Sequence, residues 1–211
     1  MKTVVYFGSR EIYRDFETAI KSLLAHTQVD KIIAIIEDDK LPFNLPVQYV
    51  KYTGRGGANT HTRWGKFGIV RAMLPYLLPD EDLILSIDLD TIVEQDISAL
   101  FDIDMTDYYM AACIEPLSSR SRPYYNNGVC LLNLKKMRED GKDKQMRDAL
   151  ETREYRYVSQ DCMSEILDKT LELPSDYNAC DFTKPTNNVI IRHFAASGDW
   201  RDRQDVAQYR A

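Results

Sequence analysis

Residues 82–96 read DLILSIDLDTIVEQD, an apolar run from Leu83 to Ile87 interrupted only by Ser86, then Asp88 and Asp90 one residue apart, then a second short apolar stretch. A run of that length, bounded by charges, reads as a central strand buried on both faces. The two carboxylates stand at its carboxyl end, where ligands of open α/β sheets collect.

Outward from this strand, apolar bursts alternate with amphipathic segments. KTVVYFG opens the chain as a first strand, and residues 12–25 space Phe16, Ile20, Leu23 and Leu24 along one helical face. KIIAIIED and VQYVKY read as the second and third strands. The glycine-rich, basic stretch TGRGGANTHTRWGKFG is a break, after which IVRAMLPYLLP is helical until proline intervenes. Beyond the aspartates follow YYMAACIE, NNGVCLLNL, a charged helix from Lys135 to about Thr152, SQDCMSEILDK, and a final strand NVIIRHF. With no linker or repeat in view, residues 1–211 are expected to form one α/β domain whose mixed, mostly parallel sheet is flanked by helices.

Composition narrows the function. The 211 residues are 44% hydrophobic and 28% charged, enough for one substantial core. A net charge of −6, spread along the chain, argues against nucleic acid as a partner, although a few local cations suffice for a small anion. The apolar stretch in MKTVVYFGSRE is too short for a signal-peptide core or a spanning helix, so no integral membrane segment and a cytoplasmic location are expected. Cys113, Cys130, Cys162 and Cys180 show no C-x-x-C pairing and read as buried free thiols.

Two chemistries place carboxylates as Asp88 and Asp90 stand. In a haloacid-dehalogenase-like phosphatase one aspartate attacks phosphorus and the other serves as acid and base. That motif opens its fold, whereas here four strand-like or helical segments come first and Thr91 follows Asp90 directly. In a nucleotide-sugar glycosyltransferase the D-x-D holds a divalent ion that neutralises the departing diphosphate.

Four further stretches favour the second. LPYLLPDEDLILSIDLDTIV resembles the segment through the D-x-D of glycosyltransferase family 8. YYNNGVCLLNLKKMRE is similar to that family's N-A-G-V-x-L-x-N-L stretch, SQDCMSEI to its D-Q-D-x-L-N, and VIIRHFAASGDW to its closing I-x-H-x-x-G-x-x-K-P-W. They occur in the family's order across most of residues 60–200.

The resemblance implies a GT-A fold and a metal-dependent, retaining transferase that moves a hexose from a nucleotide sugar, UDP-linked, to an unidentified glycan, protein or small-molecule acceptor. It implies Mn²⁺ or Mg²⁺ held by Asp88, Asp90 and His193, with Asp88 also reaching the ribose. His193 reads equally as a hydrogen-bonded histidine ending a strand. Arg71 would approach the donor, or stand as an exposed helix cation. Asn126 would bond sugar hydroxyls and Gly128 permit close backbone approach, while the same Asn-Gly could form a turn. Gln160 and Asp161 would serve the reacting sugar, with an N-cap at Ser159 as the competing role. Phe7, Ser9 and Tyr13 occupy the turn that would hold the base, although an aromatic on a helix face such as Tyr13 is more often core.

The sequence also departs from the family. Ser159 stands where an Asp is usual, leaving the sugar open, and Asp199 precedes Trp200 where Lys-Pro is expected. Lys66, Arg63 or Arg201 are candidates for the missing charge. The basic and aromatic tail of some bacterial members is not seen after Trp200, which favours an acceptor other than lipid. A non-catalytic nucleotide-sugar-binding protein is the alternative that these losses keep open.

Overall fold

The computed structural model describes residues 1–55, 57–62, 65–116, 122–195, 197–198 and 200–210. The first half alternates as its apolar periodicity predicts: β1 (Thr3–Phe7), α1 (Tyr13–His26), β2 (Lys31–Ile36), β3 (Gln48–Lys51), α2 (Val70–Leu77), β4 (Leu83–Ile87) and the short β5 (Thr91–Val93). The second half comprises β6 (Met110–Ile114), β7 (Tyr125–Asn133), α3 (Leu134–Glu139), α4 (Lys142–Thr152), α5 (Val158–Ile166), β8 (Thr170–Leu173), β9 (Ile191–His193) and α6 (Gln204–Ala207).

Seven strands form one sheet in the order β3-β2-β1-β4-β7-β6-β8. Four pairings are parallel, and β7 runs antiparallel to both β4 and β6. The expected mixed, mostly parallel sheet is therefore the observed one. β4 lies at its centre, with Ile84, Leu85 and Ile87 fully buried, which is why its sequence reads as a nearly unbroken apolar run. Alternate residues feed two cores. Leu85 and Ile87 join Phe16, Ile20 and Leu23 of α1 on one face, while Ile84 joins Val70, Leu74 and the inner faces of α3–α5 on the other.

Three expectations need correction. The charged helix from Lys135 to Thr152 is two helices, because Gly141 adopts a left-handed φ of 70° between them. That conformation favours glycine and ends the first helix. The final strand does not join the main sheet; β9 pairs antiparallel with β5 in a sheet of its own. Asn126, Asn127 and Gly128 form no turn but lie inside β7. All four cysteines are free and buried, and among the described residues no helix is long and apolar enough to cross a membrane.

Candidate active site

The strand order reverses between β1 and β4, and at this switch point the sheet's carboxyl edge opens into a cleft of about 1110 Å³. Asp88 is the first residue beyond β4. Its N–H donates to the Gly128 carbonyl at 2.8 Å, and Thr91 Oγ1 donates to its carbonyl at 2.8 Å, closing a tight turn. The chain then enters β5, whose Thr91 pairs with His193 of β9, while the Phe194 N–H donates to the Asp90 carbonyl at 2.8 Å. This small sheet carries His193 from the far end of the sequence to the two aspartates.

His193 Nε2 lies 3.3 Å from Asp90 Oδ1 and 3.7 Å from Asp88 Oδ2. One ligand atom from each of the three side chains lies within 4.8 Å of the others. Two carboxylates and an imidazole converging on one point are a fitting donor set for a hard divalent cation such as Mn²⁺ or Mg²⁺. Burial alone would lower the affinity of His193 for a proton. The charge of Asp90 and the hydrogen bond to it outweigh that penalty and push the imidazole pKa up to about 10. Burial likewise raises the Asp90 carboxyl, but the imidazolium holds it below its ordinary value.

A pH dependence follows. The raised pKa of His193 stabilises the metal-free fold in full below the ordinary histidine value, and that contribution is lost as pH rises towards about 10. Around neutrality the imidazole therefore holds a proton that a cation bound through Nε2 must displace. Mn²⁺ affinity is expected to rise roughly tenfold per pH unit between about pH 6 and 8, with about one proton released. Calorimetry in buffers of different ionisation enthalpy checks this; affinity flat with pH would show that His193 gives up no proton.

Arg71, read from sequence as either a donor contact or an exposed cation, is buried. Its Nε donates to Ser86 Oγ at 3.1 Å and its Nη2 to Asp88 Oδ1 at 2.7 Å, and the guanidinium lies 4.9 Å from the centre of the Phe7 ring. In this arrangement Arg71 braces Asp88, and both Arg71 and Phe7 line the cleft. Ser9 precedes a single helical turn and is not among the cleft-lining residues. Tyr13 is a core residue. Its ring packs edge-on against Phe16, and its hydroxyl accepts the N–H groups of Glu37 at 2.9 Å and Asp38 at 3.1 Å, so it offers no face to a base.

A bulge shapes the opposite side of the cleft. Opposite Ala112 and Cys113 of β6 the register jumps from Cys130 to Asn126, so Asn127, Gly128 and Val129 leave the β6 ladder. Such irregularities re-aim side chains beside functional sites. Asn127 Nδ2 donates to Ser159 Oγ at 3.2 Å, and its N–H donates to Gln160 Oε1 at 3.3 Å. Ser159 thus lies in the first turn of α5 as a partner of Asn127; the N-cap position is Tyr157. Val158 opens that helix at φ 31°, a costly conformation for a β-branched residue.

Gln160 lines the cleft, but Asp161 does not. Asp161 accepts Tyr124 Oη at 2.7 Å and the Tyr157 N–H at 2.8 Å, and it borders a separate hollow of about 420 Å³ with Tyr124, Tyr155 and Glu165. Consecutive helix residues are turned about 100° apart, and here Asp161 is turned towards Tyr124 and Tyr157. Of the cations proposed for the diphosphate, Lys66 is paired with Glu37 at 2.8 Å and Arg201 with the buried Asp15 at 2.5 Å. Arg63 and Asp199 lie outside the described residues.

Two site residues escaped the sequence reading. Glu115, immediately after β6, points its Oε1 at Asn126 Nδ2 (2.7 Å) and Gln160 Nε2 (3.2 Å). β6 runs parallel to β4 through their shared antiparallel neighbour β7, so a carboxylate ending the run YYMAACIE falls on the same edge as Asp88 and was findable. Asn178 accepts from His193 Nδ1 at 2.7 Å and ends a single 3-10 turn (Ser175–Asn178), too short to carry a periodic signal.

The chain is similar to known proteins. A glycosyltransferase GlyE of Streptococcus pneumoniae serotype 4 (strain ATCC BAA-334 / TIGR4) is 30% identical over 149 residues, covering 64% of this chain and 36% of that protein. A glycosyltransferase GlyD of the same strain is 29% identical over 153 residues, covering 66% of this chain and 18% of that one. The matched stretch therefore spans well under half the length of either relative. The crystal structure of GlyE superposes with a TM-score of 0.74 at 22% identity over 99% of this chain and 59% of that one. Galactosyltransferase LgtC, solved with donor and acceptor sugar analogs, superposes with a TM-score of 0.73 at 19% identity over 98% and 93%. These likenesses give the GT-A fold. The model of the family described as Glycosyl transferase family 8 matches residues 56–196, more than half of the sequence, and on that ground the chain belongs to glycosyltransferase family 8.

Proposed function

We propose that this protein is a metal-dependent, retaining glycosyltransferase that moves a hexose from a UDP-linked sugar to a glycan, protein or small-molecule acceptor. The observation that carries the reading is the convergence of Asp88, Asp90 and His193 beside Gln160 in one cleft at the switch point of the sheet. Asp88, Asp90 and His193 would hold Mn²⁺ or Mg²⁺. Bound there, the cation supplies charge neutralisation to the departing diphosphate.

The chain's own residues do the rest. Arg71 holds the Asp88 carboxylate in place from below. Gln160, with its oxygen on the Asn127 N–H and its nitrogen on Glu115, is fixed at both ends of its amide. An amide is a poor nucleophile, so its role is to stabilise positive charge developing at the anomeric carbon. The bond from that carbon to the diphosphate breaks, the acceptor oxygen bonds to the same face, and the acceptor proton passes to the departing phosphate oxygen. The cleft's volume exceeds that of an ordinary small-molecule pocket and accommodates both substrates. Asp161, which accepts from Tyr124 and the Tyr157 N–H, would act by holding the start of the helix that carries Gln160. Four unpaired buried thiols support a cytoplasmic setting.

Calorimetric titration with UDP, with and without Mn²⁺, tests the donor assignment. Binding that requires the metal is expected. Absence of UDP binding under both conditions would remove the uridine donor and return other nucleotides, and the phosphatase chemistry, to consideration.

A further inference from the structure

Between the metal corner and the sugar corner of the cleft runs an unbroken line of side-chain hydrogen bonds. His193 Nδ1 lies 2.7 Å from Asn178 Oδ1. Asn178 Nδ2 donates to Asn126 Oδ1 at 2.8 Å, Asn126 Nδ2 donates to Glu115 Oε1 at 2.7 Å, and Gln160 Nε2 donates to that same oxygen at 3.2 Å.

The direction of this line is dictated by one backbone group. The Gly128 N–H, which can only donate, lies 2.9 Å from Asn126 Oδ1 and so fixes the orientation of that amide. Asn126 must then turn its nitrogen to Glu115, whose ionised carboxylate only accepts. Asn178 must offer its nitrogen to Asn126 Oδ1, which leaves its oxygen for His193. His193 consequently carries hydrogen on Nδ1 and aims Nε2 at Asp90 and Asp88. Asn178, Asn126 and His193 are all buried, so a reversed amide would leave polar groups unsatisfied, at about 1–3 kcal/mol each.

We propose that Asn178 and Glu115 are positioning residues: Asn178 locks the ring of His193 in its metal-binding tautomer, and Glu115 joins that lock to Gln160, so that the metal centre and the sugar pocket form one rigid unit. The role given to Asn178 rests on reading Asp88, Asp90 and His193 as a cation site. The hydrogen-bonded line itself does not depend on it.

The test uses the full chain, which contains three histidines, labelled with ¹⁵N-histidine in one sample and ¹⁵N-glutamine in a second. In the metal-free protein one Nδ1–H proton should be protected from exchange, and it should vanish in His193→Gln. Asn178→Leu should lose that signal and bind Mn²⁺ roughly 10–100-fold more weakly, the range typical of lost partners behind metal ligands. Asn178→Asp still accepts from Nδ1 and should keep both the signal and the affinity within about threefold. It cannot donate to Asn126, so protection of the Gln160 side-chain amide should fall in this variant, as it should in Glu115→Leu. Glu115→Gln, which retains an acceptor oxygen, should preserve that protection.

A wild-type spectrum with no protected Nδ1–H that vanishes in His193→Gln, or an Asn178→Leu protein that is folded with unchanged signal and Mn²⁺ affinity, would overturn the proposal. Failure of the wild type to bind Mn²⁺ while the protected proton responds as described would instead overturn the cation reading and leave the hydrogen-bonded line standing.

Discussion

Gly128→Ala is expected to cost about 2–3 kcal/mol of stability and to weaken Mn²⁺ binding by about 100-fold or more, although it adds a single methyl group. A Cβ at this position would stand 2.2 Å from His193 Cε1, 2.6 Å from Nδ1 and 3.0 Å from Asn126 Oδ1. Carbon atoms pack at about 3.5–4.0 Å, so more than an ångström of movement is demanded. Gly128 is not among the glycines with positive φ, so space rather than backbone conformation requires glycine here. His193 cannot yield freely, because β9 is paired to β5 and the ring is buried and bound to Asn178. The ring must therefore tilt away from Asp88 and Asp90, or the β7 bulge must shift. Either movement breaks the convergence of Asp88, Asp90 and His193. Thermal denaturation together with Mn²⁺ titration reads both effects; a variant with unaltered metal affinity would show that the ring is not held where the structure places it.

Asp90→Ala is expected to remove the Mn²⁺ dependence of UDP binding, lowering metal affinity by roughly two to three orders of magnitude. Besides deleting a ligand, the substitution removes the charge that most raises the His193 pKa. Burial, which lowers the imidazole pKa, is then opposed only by Cys180 and Asp88, so the pKa of the ring should fall. The proton release expected on metal binding to the native protein should diminish with it. Asp90→Asn keeps the side-chain shape and should behave similarly, which separates charge from volume. A Mn²⁺ requirement for UDP binding that survives both substitutions would place the metal elsewhere.

The first half of the fold was legible because its signals are local. β1, β2 and β4 are parallel strands buried on both faces, and α1 writes its core contacts at Phe16, Ile20 and Leu23. Tyr13 lies three residues before Phe16 on that same stripe, so its burial was written there too. Less was legible where the determinant is tertiary. β5 and β9 span three residues each, too few for an alternation to declare itself, and only their mutual pairing brings His193 to Asp90. The bulge that lifts Asn127 and Gly128 out of the ladder is a property of two strands together, which is why Asn-Gly read equally well as a turn.

Motif matching also treated Gln160 and Asp161 as one unit. Helical periodicity separates them, giving Gln160 the cleft and Asp161 the contacts to Tyr124 and Tyr157. Gln160 meets its carboxylate partner in Glu115, which follows β6 and lies far from it in sequence. No spacing rule within SQDCMSEI could have shown that pairing.

The central claim is transfer chemistry at this cleft, and donor hydrolysis without acceptor tests it most directly. Incubated with Mn²⁺ and a panel of UDP-hexoses, the protein should slowly release free sugar from at least one of them. The released sugar should first appear with the donor's anomeric configuration, and release should stop on chelation of the metal or on Asp90→Ala. Metal-dependent binding of UDP-sugars with no release of sugar from any donor would contradict the account and identify a binding protein that retains the metal pocket without turnover.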